Sequence, residues 1–205
     1  MLSQPFDLKA TVTAAGSEFR VGAEITTFSD HIVISYPVKV LYRLSQDIGV
    51  GLALIEKVVS GLAEHAIKSG FLLRGGATIG PLHHQRGVVV GEALVEAYKL
   101  ESTVAIYPRI VVSRKLYSKV TSNSPLLTVD DDGITYFDYF LPMLGRSGAP
   151  GTVANQFILE TLSLIDQNVE AFEQAEKWNE MAKWVWFKSK FSKALSTLQA
   201  PLQVN

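Results

Sequence analysis

Ile55, Val58, Val59, Leu62 and Ala66 recur at the spacing of a single helical face, and β-prone runs flank them on both sides. This switch of period, from two residues to about 3.6 and back, restricts the fold more than any other feature of the chain. A long amphipathic helix must bury its stripe against something, and the neighbouring strands offer a sheet. Gly70 follows the stripe as a C-terminal stop, so a helix is expected over Val50 to Ser69.

Before that helix, Thr11 to Thr13, Phe19 to Phe28 and Ile32 to Ile34 read as strands, with turns at Ala14 to Ser17 and at Ser29-Asp30-His31. After it, strands are expected over Phe71 to Ile79, Val88 to Val90 and Ile106 to Val112. Pro81 to Gly87 has hairpin character, and Glu92 to Glu101 reads as a short helix. Asp130-Asp131-Asp132-Gly133 lies between Leu126 to Val129 and Ile134 to Tyr139, and an Asp-Gly pair between β-prone runs signals a hairpin. Gly145 to Gly151 is rich in Gly, Ser and Pro and marks a boundary. Beyond it come a stripe of Ile158, Thr161, Leu162, Ile165, Val169 and Phe172 and a further helical stretch, Trp178 to Leu198. The expected fold class is α+β: an antiparallel sheet with helices on one face, plus C-terminal helices. Residues 1–144 form the α+β domain in this reading, and residues 145–205 a helical extension.

Composition narrows the function classes. The chain has 205 residues, 47% of them hydrophobic and 19% charged, enough apolar material for a sizeable core. A formal net charge of −1 offers no global attraction to nucleic acid or to an anionic membrane. The absence of cysteine excludes disulfides, zinc–thiolate sites, iron–sulfur clusters and cysteine nucleophiles, and fits a reducing cytoplasm. The first residues lack a basic run followed by an apolar stretch, and no apolar stretch reaches the roughly 18 to 20 residues of a membrane span. A soluble cytoplasmic protein without a membrane partner is expected.

Three stretches carry a family resemblance. Thr26 to Ser35 places Ser29-Asp30-His31 at the tip of a hairpin; Arg74-Gly75-Gly76-Ala77-Thr78-Ile79-Gly80 follows the long helix; and Gly91-Glu92-Ala93-Leu94-Val95-Glu96-Ala97-Tyr98-Lys99-Leu100-Glu101-Ser102 follows an arm. In order and spacing these resemble the class III nucleotidyl cyclases, with their aspartate-bearing hairpin, R-x-G-I-x-x-G strand and G-D-A-V-N-x-A-x-R-L-E-S helix. Ala105 to Ile110 and the helices after it resemble a divergent bacterial branch of cyclase-like proteins. The resemblance implies a ferredoxin-like, palm-type sheet and a homodimer with sites between the two copies. It also implies a nucleoside triphosphate ligand held with Mg2+ or Mn2+.

Carried over residue by residue, Asp30 matches a metal-binding aspartate and Lys99 the position of the catalytic, phosphate-contacting arginine. The base-reading positions fall on Thr26 and Val88, and the transition-state asparagine on Val95. The strand F-x-D-I-x-G-F, which supplies the second metal aspartate, is missing; Phe6-Asp7-Leu8 is a false match, because no Gly-Phe follows it. Val95 cannot hydrogen-bond, and Lys99 keeps a charge without the planar fork of arginine. The resemblance therefore implies a catalytically impaired or inactive cyclase-like protein and a weak binder of nucleotide and metal. The alternatives are a non-enzymatic dimerising scaffold, or an active cyclase should a longer natural N-terminus supply the absent aspartate.

Other clusters have plainer readings. Asp30 is either a metal ligand or an aspartate favoured by a tight turn, and Lys99 either touches phosphate or is simply solvated. Arg74 and Gly76 suit strand packing. Adjacent His83 and His84 point to opposite faces of a strand, so an exposed arm or dimer contact is expected in place of joint metal ligation. Asp130 to Gly133 lacks the alternating ligands and closing Glu of a calcium loop, which leaves a turn. Trp178, Trp184, Trp186, Phe187 and Phe191 interleave with Lys183, Lys188 and Lys190. That pattern suits a core-packing helix with lysine flanks better than nucleic-acid binding.

Overall fold

In the computed structural model, which describes residues 9–14, 17–39, 48–120, 124–146 and 153–199, the chain opens with two antiparallel hairpins. The first pairs β1 (Lys9–Ala14) with β2 (Ser17–Gly22), and the second pairs β3 (Glu24–Phe28) with β4 (His31–Ser35). The apolar stripe then becomes α1 (Gly49–Lys68), whose inner face buries Leu52, Val59, Ala63 and Ile67. Ser60 is buried on the same helix and satisfies its hydroxyl by donating to the Glu56 carbonyl at 2.9 Å. Gly70 at φ +80° ends the helix: its N–H bonds Ile67 O and that of Phe71 bonds Ala66 O, the reciprocal pair of a Schellman close.

β5 (Gly75–Ala77), the hairpin β6 (His83–Gln85)–β7 (Val88–Val90), α2 (Glu92–Lys99) and a π-helical turn (Leu100–Val104) follow. Then come β8 (Ile110–Val112), α3 (Arg114–Tyr117), β9 (Leu127–Val129), β10 (Thr135–Phe137) and α4 (Phe140–Arg146). Four strands form one sheet in the order β5-β8-β10-β9, with β8 fully buried at its centre. β10 runs antiparallel to both neighbours, whereas β5 and β8 are parallel. A parallel pair needs a crossover, and β6 through the π turn provides it. The protein is α+β. The sheet is mixed where a wholly antiparallel one was expected, and among the described residues β3–β4 pair only with each other.

Two expected strands are shorter than read. Of Phe71 to Ile79 only Gly75–Ala77 pairs, because its single partner, β8, is three residues long, and Phe71 stays in solvent. Of Ile106 to Val112 only Ile110–Val112 pairs. The preceding residues leave the π turn, closed by the Ala105 N–H on Leu100 O at 2.9 Å. That helical arm sits hard on β5: a Cβ on Gly76 would lie 2.2 Å from the Ala97 carbonyl oxygen and 2.7 Å from Leu100 Cβ.

The last helices, α5 (Val153–Gln174) and α6 (Trp178–Gln199), contribute to the same core as the sheet. Phe157, Ile165, Trp184, Phe187 and Phe191 join Ile110, Phe137, Phe140 and Met143 in one buried cluster. Tyr139 is fully buried and donates its hydroxyl to Pro108 O at 2.6 Å. Asp7 and most of the Gly145 to Gly151 boundary lie outside the described residues.

Candidate functional site

Asp30 stands at the tip of the β3–β4 hairpin, where Ser29 takes a left-handed φ of 53° and Phe28 pairs with His31. Its side chain is 85% exposed, and one carboxylate oxygen lies 2.9 Å from His31 Nδ1. The Asp30 backbone N–H, the Ser29 hydroxyl and the His31 charge hold this carboxyl below its ordinary value. The His31 ring stacks on Phe28 at 5.6 Å and leans on Tyr98 of α2 at 5.9 Å. That second contact brings the hairpin tip to the helix carrying Lys99, an exposed lysine without an ion-pair partner among the described residues.

Thr26 is drawn into a neighbouring element, whereas Val88 stays in solvent. His84 is 7% exposed and bridges two hydroxyls, Ser35 Oγ on its Nδ1 and Thr26 Oγ1 on its Nε2, each at 2.9 Å. The histidine expected on an exposed arm is instead the pin joining the β3–β4 hairpin to β6–β7; His83, on the opposite face, is the exposed one. The Thr26 hydroxyl is therefore committed within the protein. Val88 lies just beyond the β6–β7 turn, where Arg86 (φ 51°) and Gly87 (φ +80°) give the paired left-handed geometry favoured by two-residue hairpins, and its side chain is exposed. Val95 on α2 is exposed too. Arg74 pairs through Nε with Glu101 at 2.6 Å, in keeping with a packing role. Among the described residues, no three or more His, Asp or Glu side chains are grouped to hold a metal ion.

Among the described residues a denser group of charges lies elsewhere, around the acidic turn Asp130 to Gly133. Arg109 is 1% exposed and donates to both oxygens of Asp132, at 3.0 and 2.5 Å, and to Asp130 at 2.5 Å. Asp130 also accepts from Trp186 Nε1 at 2.9 Å and from Lys190 at 2.5 Å, both on α6. The Arg109 hydrogen bonds hold Asp132 below its ordinary value; for Asp130, burial pushes up, but Lys190, the Asp131 amide and Trp186 outweigh it. Tyr107 completes the cluster, stacked on Trp186 at 5.6 Å with the Arg109 guanidinium 5.6 Å from its ring. Because cations already occupy its carboxylates, this is a closed clasp between the acidic turn and α6, unsuited to calcium. The aromatic–lysine stretch is accounted for in the same way: Trp184, Phe187 and Phe191 point into the core, and Lys188 pairs with Asp166 at 2.6 Å. The one sequence signal for the clasp was an arginine abutting the buried run Ile110 to Val112.

No family model, curated protein or solved structure matches the chain. Among the described residues no helix is long and apolar enough to cross a membrane.

Proposed function

We propose that the chain is a divergent nucleotidyl-cyclase-like module, cytoplasmic and homodimeric, that is catalytically impaired and binds a nucleoside triphosphate with Mg2+ or Mn2+ weakly. One observation carries the reading. Ile25, Phe28 and Ile32 on β3–β4, Val88 and Val90 on β7, and Val95 and Tyr98 on α2 are large apolar side chains left in solvent. They sit on the same elements as Thr26, Asp30, Val88 and Lys99, the positions that match the cyclase motifs. Strand alternation puts Ile25 and Ile32 on one face of the β3–β4 hairpin and Phe28 on the other, the face whose His31 meets Tyr98 of α2. Large apolar side chains left in solvent mark interaction surfaces, and a second copy is the occupant that the resemblance implies. The same reading carries a palm-type sheet.

Impairment follows from the side chains present. Val95 gives no hydrogen bond and Lys99 no bidentate fork, and each missing transition-state donor costs about 100- to 1,000-fold in rate. Asp30 is one carboxylate. Magnesium uses one or two carboxylates together with phosphate oxygens, so on this reading metal binds with the nucleotide or not at all. Calorimetric titration of ATP and GTP with Mn2+, repeated on Asp30→Ala, is the test, with sedimentation equilibrium reporting the oligomer. Binding lost in Asp30→Ala, by a dimer that Val95→Glu dissociates, is the expected result. A dimer that binds no nucleotide leaves the scaffold reading. A monomer that binds none overturns both.

A further inference from the structure

A half-open cleft of about 400 Å3 lies between the end of the π turn and the first turns of α6, with Arg74, Ser102, Ile106 and Asn179 on its exposed rim. Thr26, Asp30, Val88 and Lys99 take no part in its lining. Its size lies within the roughly 300–1,000 Å3 of small-molecule sites.

The lining is amphipathic. Ile106 and Tyr107 give an apolar and a flat aromatic wall, and Arg74, Ser102, Asn179 and Lys183 supply polar groups. Arg74 is balanced by Glu101 through Nε, which leaves the other N–H groups of its guanidinium as donors. Among the described residues Lys183 has neither an ion-pair nor a hydrogen-bond partner, so the cavity carries one uncompensated positive charge. The aromatic wall is fixed in advance: Tyr107 lies nearly parallel to Trp186 (5°), and Arg109, held by Asp130 and Asp132, lies against its ring. Preorganisation of this kind lowers the cost of binding. The adjoining backbone is a π-helical segment, a rare conformation frequent at functional sites.

We propose that this cavity binds a small organic anion with a flat apolar body, its charged group on Lys183, Arg74 and Asn179 and its body against Tyr107 and Ile106. A carboxylate and a phosphate ester share this chemistry.

The test titrates the intact chain with phenyl phosphate, benzoate and inorganic phosphate, following tryptophan fluorescence, since Trp186 backs the Tyr107 wall. Saturable binding of at least one aromatic anion is expected, tighter than that of inorganic phosphate; the stronger of the two aromatic ligands identifies the headgroup. Lys183→Gln should weaken binding about tenfold, and Ala182→Leu, which adds bulk to the lining without touching charge, should weaken it as well. Lys188→Gln, outside the cavity, should leave it unchanged. The proposal is overturned if no probe saturates, if inorganic phosphate binds as tightly as the better of the two aromatic anions, or if Lys183→Gln and Lys188→Gln act alike. Lys183→Gln removes no ion pair or hydrogen bond within the described residues, so an unchanged melting temperature separates lost binding from lost folding.

Discussion

Replacing Asp130 by alanine tests whether the clasp between the acidic turn and α6 holds the fold together. Asp130 is 8% exposed and accepts from Arg109, Trp186 Nε1, Lys190 and the Asp131 amide. Removing one partner of a buried ion pair costs about 3–5 kcal/mol, mostly because the other charge stays behind unsatisfied. Arg109 is that charge. It is 1% exposed and its Nε already lacks a partner, although two bonds to Asp132 survive the mutation. Lys190 loses its closest carboxylate and keeps Asp131 at 3.6 Å and the Trp186 ring at 5.7 Å. We therefore expect a loss of about 3 kcal/mol, the low end of the range. Whole domains are stable by only about 5–15 kcal/mol, so the variant should be visibly marginal. Urea unfolding followed by tryptophan fluorescence should show the midpoint falling by about 1 M or more. Asp131→Ala is the control, with the same charge one residue along but a fully exposed side chain, and it should change stability by less than about 0.5 kcal/mol. If Asp130→Ala costs under about 1 kcal/mol, or no more than Asp131→Ala, the clasp is not what fastens α6.

Gly76→Ala should lower stability by about 1–3 kcal/mol, since the new methyl meets the Ala97 carbonyl and Leu100; the change in thermal midpoint reads it out. His84→Ala should cost about 1–3 kcal/mol by leaving the Ser35 and Thr26 hydroxyls without their bridge, and hydrogen exchange in β3–β4 should rise with it. Glu176 closes α5 at φ 55°, so Glu176→Gly should stabilise by up to about 1 kcal/mol, seen as a higher urea midpoint. Asp130 and Asp132 titrate below their ordinary 3.8 in the folded chain, so their contribution is complete above that value and disappears as pH falls through the folded values. Burial raises Asp138, whose penalty at neutral pH is relieved by acid; midpoints measured across pH should hold steady or rise slightly towards pH 4 to 5 and drop below about 4.

What could be read from the sequence was what local chemistry decides. The stripe from Ile55 to Ala66 needs only its own periodicity, and Gly70 ends it by a conformation that glycine adopts freely. The turns at Asp30 and at Asp132-Gly133 are likewise settled within four residues. The parallel pairing of β5 with β8 is a different kind of fact. Gly75-Gly76-Ala77 falls within the strand expected over Phe71 to Ile79, but its partner is more than thirty residues away and nothing local sets the direction of pairing. The clasp is longer still in reach: Arg109 to Asp130 spans 21 residues and Asp130 to Trp186 spans 56. Three aspartates in a row satisfy a turn so well that nothing local asks for a buried arginine.

The candidate site divides along the same line. Asp30 could be placed at a hairpin tip by turn chemistry alone, but its engagement by His31, and the seat of His31 on Tyr98, depend on how the hairpin meets α2. Thr26 matched a base-reading position, yet its hydroxyl is used by His84, a residue the sequence suggested would face solvent. On the proposed reading, the departures from the cyclase motifs then acquire a direction. At Val88 and Val95 the chain carries aliphatic side chains that remain more than half exposed, at 56% and 53%. Solvated positions released from catalysis would tolerate polar residues at no cost, whereas an aliphatic residue gains only where water is excluded. On the proposed reading, the face that lost its catalytic donors has kept the apolar surface that a second copy would cover.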